Sequence, residues 1–307
     1  MSDDSVPAPA GPILVATDFS VPARHAAERA ARLAHETVSP LVLLHVEPGD
    51  LLAWLDEWLG QDSDARHRLR HDHHQRLDTL ADELHRSRRV EVSVQRRDGA
   101  VPAAIREAAD TLDARLVVLG ARGARPLRRL LLGSTAERML HLSRRPLLVV
   151  RQRAHEPYRR VLVAVDFSGW SLPSLAAARL VAPHAQLTLL TVFQTPFEEK
   201  MHFAGVEPAT IARYRQQARQ QATRQLHTLA ARAGLRAGHW TAQVVEGDAW
   251  MRVVEQAQQD DCDLVVMGRQ GRSAGAELLL GSVTRQVLAE IDTDLLLSTR
   301  HEELSQP

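Results

Sequence analysis

The feature that most constrains this chain is that it is written twice. "ILVATDFS" at 13–20 returns as "VLVAVDFS" at 161–168. Asp18 and Asp166 stand 148 residues apart. The same offset separates Gly99 from Gly247, Gly120 from Gly268, Gly123 from Gly271, Gly133 from Gly281 and Ser134 from Ser282. A constant offset at scattered polar and glycine positions does not come from helical periodicity, and it is far too long for a solenoid repeat. The 307 residues therefore hold two copies of one domain, at about 150 residues each. The offset falls to 146 between "LVLLHV" at 41–46 and "LTLLTV" at 187–192, and is 148 again at Gly247. That change in length is expected in surface connections, where it is best tolerated.

Each copy alternates strand and helix signals. In the first, Ile13–Thr17, Leu41–Val46, Val90–Gln95, Arg115–Leu119 and Pro146–Val150 read as strands. Helices are predicted from Pro22 to about Glu36, over Ala65–Arg86, Val101–Thr111 and Thr135–Leu142. Short apolar strands separated by helices imply a parallel sheet covered on both faces. The fold class is α/β: two tandem copies of a five-stranded parallel-sheet, Rossmann-like α/β sandwich. The domains are predicted at 11–151 and 158–300. The polar segment "RQRAHEPYR" at 151–159 serves as the linker.

Ligands of open α/β sheets bind beyond the carboxyl ends of the strands. Gly120 stands at such an end, in "GARGARPLRRLLLGST", and its twin is "GRQGRSAGAELLLGSV". Gly120 and Gly123 are expected to let the backbone turn through conformations closed to other residues and to bring N–H groups close to a ligand. Gly133 and Ser134 precede a helix, whose first N–H groups favour an anion. Ser134 could cap that helix or give its hydroxyl to a phosphate. A carboxylate repels phosphate, so Asp18 and Asp166 suit ribose hydroxyls or a base N–H. They could equally cap the helices that follow. Backbone at Val46 and Val192 could meet a base edge.

Other function classes are excluded or disfavoured. The formal net charge is +0, so no global field recruits nucleic acid or anionic lipid. The opening "MSDDSVPAPAGP" lacks the basic and apolar regions of a signal peptide, and no apolar run approaches the roughly 20 residues of a membrane helix. One cysteine, Cys262, forbids an intramolecular disulfide. A cytoplasmic protein without membrane or nucleic-acid partners is expected. There is neither a Walker loop nor a G-x-G-x-x-G after the first strand. A response-regulator reading lacks its acceptor Asp after the third strand and its Lys after the fifth.

With these residues in place, the chain resembles the tandem universal stress protein family. The nucleotide-binding members of that family carry G-x2-G-x9-G-[ST], present here as Gly120, Gly123, Gly133, Ser134 and as Gly268, Gly271, Gly281, Ser282. The resemblance covers nearly the whole chain. It implies ATP binding, with Mg²⁺ as companion ion, slow or no hydrolysis, and a regulatory or sensor role in stress response. It also implies nucleotide contacts from Ala16, Thr17, Asp18, Val46, Gly120, Arg122, Gly123, Gly133, Ser134 and Thr135. The second copy offers Ala164, Val165, Asp166, Val192, Gly268, Gln270, Gly271, Gly281, Ser282, Val283 and Thr284, the last as a further hydroxyl. Domains of the family often pair through their last strands. An internal pseudo-dimer of the two copies is therefore expected, with a homodimer of chains and an unidentified protein partner also compatible. The competing readings are a nucleotide-independent scaffold and a slow ATPase.

The copies differ where the loops turn basic. The first has Arg122, Arg125, Arg128 and Arg129; the second has Arg269 and Arg272 opposed by Glu277. Stronger triphosphate binding in the first copy is the corresponding expectation. His67, His71 and His74 lie at helical spacing with His73 beside them, but no companion ligand is identifiable, so a solvated helix is expected and no metal ligand is assigned. "LLAWLDEWLG" at 51–60 reads as packed core, and Cys262 as an inert small side chain. No Ser-His-Asp or paired-carboxylate set repeats, so no catalytic residue is assigned.

Overall fold

The computed structural model describes residues 11–49, 64–121, 133–194, 206–271 and 280–299, with the side chains of 64–67 set aside. The chain forms two compact units, Met1–Pro157 and Tyr158–Pro307. In the first, β1 (Ile13–Ala16), β2 (Leu41–Pro48), β3 (Val92–Gly99), β4 (Leu116–Gly120) and β5 (Leu147–Val150) form parallel strands in the order β3-β2-β1-β4-β5. In the second, β6 (Arg160–Ala164), β7 (Gln186–Phe193), β8 (Trp240–Glu246), β9 (Leu264–Gly268) and β10 (Asp294–Ser298) take the equivalent order β8-β7-β6-β9-β10. The central strands are apolar along their length because both faces are covered. Leu14, Leu43, Val117, Leu148, Leu162 and Val265 are wholly buried. The third strand runs to Gly99, four residues past the predicted end, because its pairing with β2 continues through Pro48–Gly99.

Helices α1 (Val21–Glu36) and α2 (Asp64–Arg88) pack together against the first sheet, as do α3 (Val101–Thr111) and α4 (Ser134–Leu142). The second unit repeats this with α5 (Ser171–Val181) and α6 (Pro208–Arg232), and with α7 (Ala249–Gln259) and α8 (Ser282–Glu290). The buried stripe of α1 is mostly alanine: Ala23, Ala26, Ala27, Ala30, Ala31 and Ala34. Small side chains let this helix lie close on β1 and β4. Ser20 caps it, accepting from the Ala23 amide at 3.3 Å, and Pro22 occupies its first turn, where no N–H is needed.

The two-residue difference in length does not fall in a surface connection alone. It falls partly in the helix: α1 has 16 residues and α5 has 11. Pro183 follows two positions after Val181 and cannot continue the helix. Among the described residues no helix is long and apolar enough to cross a membrane.

Candidate functional site

In each unit the sheet is extended outward on one side of the first strand and then on the other. The reversal lies between β1 and β4, and between β6 and β9. Open α/β sheets bind ligands in the crevice at that point. Asp18 and Asp166 follow β1 and β6, and Gly120 and Gly268 end β4 and β9.

In the second unit this crevice is a cavity of about 320 Å³. All eleven second-copy residues singled out above line it: Ala164, Val165, Asp166, Val192, Gly268, Gln270, Gly271, Gly281, Ser282, Val283 and Thr284. The volume lies at the lower end of the range of small-molecule sites.

The aspartate turn has the same geometry in both copies. Asp166 Oδ1 accepts from the Ser168 amide at 3.0 Å, and Phe167 between them has φ 60°. Asp18 Oδ1 accepts from the Ser20 amide at 3.0 Å, with Phe19 at φ 62°. A left-handed aromatic residue costs on the order of 1–3 kcal/mol and persists only where its surroundings hold it. Asp18 therefore shapes the turn, while Ser20 caps α1. One carboxylate oxygen is held by the turn, and in the second copy Oδ2 faces the glycine loop.

Gly268 and Gly271 approach their neighbours because they lack side chains. A Cβ on Gly271 would stand 2.8 Å from Asp166 Oδ2, and one on Gly268 would stand 2.6 Å from Trp170 Cβ. At Gly120 the obstacle would be the Pro22 backbone, also at 2.8 Å. None of these three has a positive φ. This corrects the expectation for Gly120 that glycine serves an unusual backbone turn: what needs glycine here is close approach.

Helices α4 and α8 begin in an equally specific way. Their N-caps are Gly133 and Gly281, and neither helix start has a side-chain capping hydrogen bond. Ser134 and Ser282 are exposed first-turn residues, so neither is the cap. In the second unit α8 thus presents its first turn, with the positive end of its dipole, to the crevice without a side-chain cap. The Gly133 amide donates to Ala121 O at 2.8 Å and the Gly281 amide to Arg269 O at 3.0 Å, which fixes both glycines to the strand ends.

Thr284 departs from its expected role. It is 3% exposed and its hydroxyl donates to Gly268 O at 3.1 Å. Its proton ties α8 to β9 and is not offered to a phosphate. Ala136, its counterpart, is likewise buried.

In the first unit, Ala16 ends β1, Thr17 and Asp18 follow it, Val46 lies near the end of β2, and Gly120 ends β4. Gly133, Ser134 and Thr135 form the start of α4. Thr17 is buried, its Oγ1 accepting from the Phe19 amide at 3.0 Å. Arg122, Gly123, Arg125, Arg128, Arg129, Arg272, Glu277 and the 51–60 stretch lie outside the described residues.

The model of the "Universal stress protein family" matches residues 10–151 and again 157–298. The chain belongs to the universal stress protein family. A universal stress protein of Mycolicibacterium smegmatis is 26% identical over 298 residues, 93% of this chain and 96% of that protein. The crystal structure of a universal stress protein from Archaeoglobus fulgidus superposes with a TM-score of 0.69 at 19% identity, covering 95% of this chain and 99% of that one. A putative universal stress protein from Pseudomonas aeruginosa gives 0.60 at 21% identity, over 94% and 93%. These two likenesses are of fold.

Both universal stress protein domains contain residues that the motif did not single out. In the second, Trp170, Ser171, Ser174, Ala249 and Val253 also line the cavity. Trp170 had a sequence signal: it stands where the first copy has Pro22, at the 148 offset. Ala249 and Val253 had none, since α7 reaches the cavity through tertiary packing. Cys262, by contrast, is buried away from that wall. Burial, then the nearby Asp260 and Asp263, push its thiol up to about 12, so almost no thiolate forms at neutral pH.

Proposed function

We propose that this universal stress protein is an adenine-nucleotide-binding regulatory module that takes ATP with Mg²⁺ and hydrolyses it slowly or not at all. The observation that carries this reading is the second-unit cavity, where an uncapped helix N-terminus and an aspartate meet across a glycine loop. The two ends have opposite electrostatic preferences. The start of α8, with Gly281, Ser282 and Val283, suits phosphate oxygens. Asp166 repels phosphate and suits the ribose hydroxyls, and Ala164, Val165 and Val192 suit the base. Gln270 and Gly271 form the wall between them. In the first domain Ala16, Thr17, Asp18, Val46, Gly120, Gly133, Ser134 and Thr135 take the matching roles, with Arg122 and Gly123 completing the loop. A single cysteine that cannot pair within the chain agrees with a reducing, cytosolic setting.

ATP filling such a site would bias the loops around it and so alter a surface read by a protein partner. The test is melting of the nucleotide-stripped protein with and without millimolar Mg²⁺–ATP. A ligand that binds only the native state stabilises it by about 2.7 kcal/mol at a hundredfold excess over Kd. Mass spectrometry of small molecules released from protein purified without added nucleotide should show an adenine nucleotide. No thermal shift together with no released nucleotide overturns the reading in favour of a nucleotide-independent scaffold.

A further inference from the structure

Among the described residues, the first domain holds a cluster on its second strand that has no counterpart in the second domain. Side chains alternate across a strand, so His45 and Glu47 share one face of β2. In the second domain Leu190 and Val192 line the cavity, and Thr191, the counterpart of His45, does not. His45 and Glu47 therefore lie on the face turned away from the nucleotide crevice. Opposite them, α2 presents His73, one helical turn before the buried Leu77.

The three side chains converge. His45 is 5% exposed and Glu47 is 2% exposed, and one donor atom from each of the three residues lies within 4.8 Å of the others. His73 Nδ1 stands 3.5 Å from Glu47 Oε1. Ligands about 2.0–2.2 Å from a tetrahedral ion are about 3.3–3.5 Å apart, so the closest pair is already at coordination spacing. The tautomer of His45 follows from its neighbour. Its Nδ1 lies 2.8 Å from the Thr17 carbonyl, which can only accept, so Nδ1 carries the proton and Nε2 keeps a lone pair. A backbone carbonyl on the far nitrogen is the usual support of a metal-binding imidazole. His45 Nε2, Glu47 Oε2 and His73 Nδ1 are all buried without a hydrogen-bond partner.

Packing holds the imidazoles in place. The Phe19 ring lies 4.6 Å from His45 and 5.5 Å from His73, and the two histidine rings are 4.7 Å apart. Arg70 approaches Glu47 Oε2 only to 3.7 Å and makes a closer pair with Asp98 at 2.7 Å. The fold does not demand this trio. The second copy has Thr191 and Phe193 on the strand, and α6 carries no His, Asp or Glu from Pro208 to Leu226.

We propose that His45 Nε2, the Glu47 carboxylate and His73 Nδ1 bind a divalent transition-metal ion, Zn²⁺ by the character of the donors. Two neutral imidazoles and a carboxylate suit that ion, and three protein ligands leave a fourth position for water. The exposed His71 and His74 on the same helix are the competing explanation for any metal uptake.

The test uses full-length, tag-free protein stripped with a chelator, in the absence of nucleotide. Zn²⁺ is titrated in competition with a chromophoric chelator, and Co²⁺ is followed by its visible spectrum. One Zn²⁺ per chain and an intense tetrahedral Co²⁺ spectrum are expected. His73→Ala and Glu47→Gln should each weaken Zn²⁺ binding by at least about tenfold, on the scale known for losing even outer-shell support. The double variant His45→Thr/Glu47→Phe, which installs the second copy's residues, should abolish binding and the Zn²⁺-dependent rise in melting temperature. His71→Ala and His74→Ala should bind as wild type. Absence of stoichiometric binding, an octahedral Co²⁺ spectrum, or loss on removing His71 or His74 but not His73 overturns the proposal. The wild-type cobalt spectrum decides even if a ligand variant fails to fold.

Discussion

The two domains agree at the ends of their central strands and differ behind them. Both have the aspartate turn with a left-handed phenylalanine, the glycine N-cap, and the amide of that glycine bonded to the residue after the fourth strand. On the far side of the second strand, one has a buried histidine–glutamate–histidine cluster and the other has threonine and phenylalanine. Neighbouring positions on one strand have therefore diverged unequally. Residues 44 and 46 and their counterparts stay aliphatic, while 45 and 47 changed character. A strand separates its two faces so completely that one can hold a ligand site while the other is rebuilt.

The sharpest way to break this comparison is at the loop. Gly271→Val forces a side chain onto Asp166 and should weaken nucleotide binding in the second domain at least about a hundredfold, or about 2.7 kcal/mol, by calorimetry. Titrating Gly133→Val and Gly281→Val separately then shows whether the domains bind alike. Stronger residual binding when the second domain is the one left intact would end the idea that the arginine-rich first loop binds triphosphate more tightly.

A smaller effect is expected from pH. Burial lowers the His45 pKa below its ordinary 6.5, with Thr17 O, His73, Glu47 and Asp18 facing it. As pH falls, the unfolded chain takes up the proton first, so metal-free stability of the first domain should drop as pH goes below about 6.5. His45→Thr should remove that part of the acid sensitivity in melting curves between pH 7.5 and 5.5. An unchanged profile would mean the ring titrates normally.

Trp170→Ala should reduce second-domain nucleotide affinity several-fold by removing a wall of the cavity, with the fold intact. Thr284→Ala, which copies Ala136, should cost about 1 kcal/mol of stability and shift affinity less than twofold. A large loss of affinity instead would return its hydroxyl to the binding site.

Much of this architecture is legible in the residues. Apolar runs such as "LVVLG" and "LVVMG" mark buried parallel strands, and the repeated glycines mark the crevice. What stayed hidden depends on contacts between distant segments. No spacing shows that Gly268 must admit Trp170, that Thr284 turns its hydroxyl to Gly268, or that His73 faces His45. Grouping the histidines of α2 by their own spacing pointed to the solvent side. Extending the Leu84–Leu80–Leu77 stripe by one turn would have set His73 apart as the inward one.

The lone cysteine gives the comparison a clock. Because Cys262 is buried in only one of the two domains and its thiol is pushed up to about 12, a pulse of alkylating reagent at pH 8 marks only molecules in which that domain has opened. Labelling of the native protein should be at least about a hundredfold slower than of the unfolded chain, and nucleotide should slow it further. Zinc should leave it unchanged if the halves open independently. The chain thus carries its own one-sided record of whether an event in one half is felt in the other.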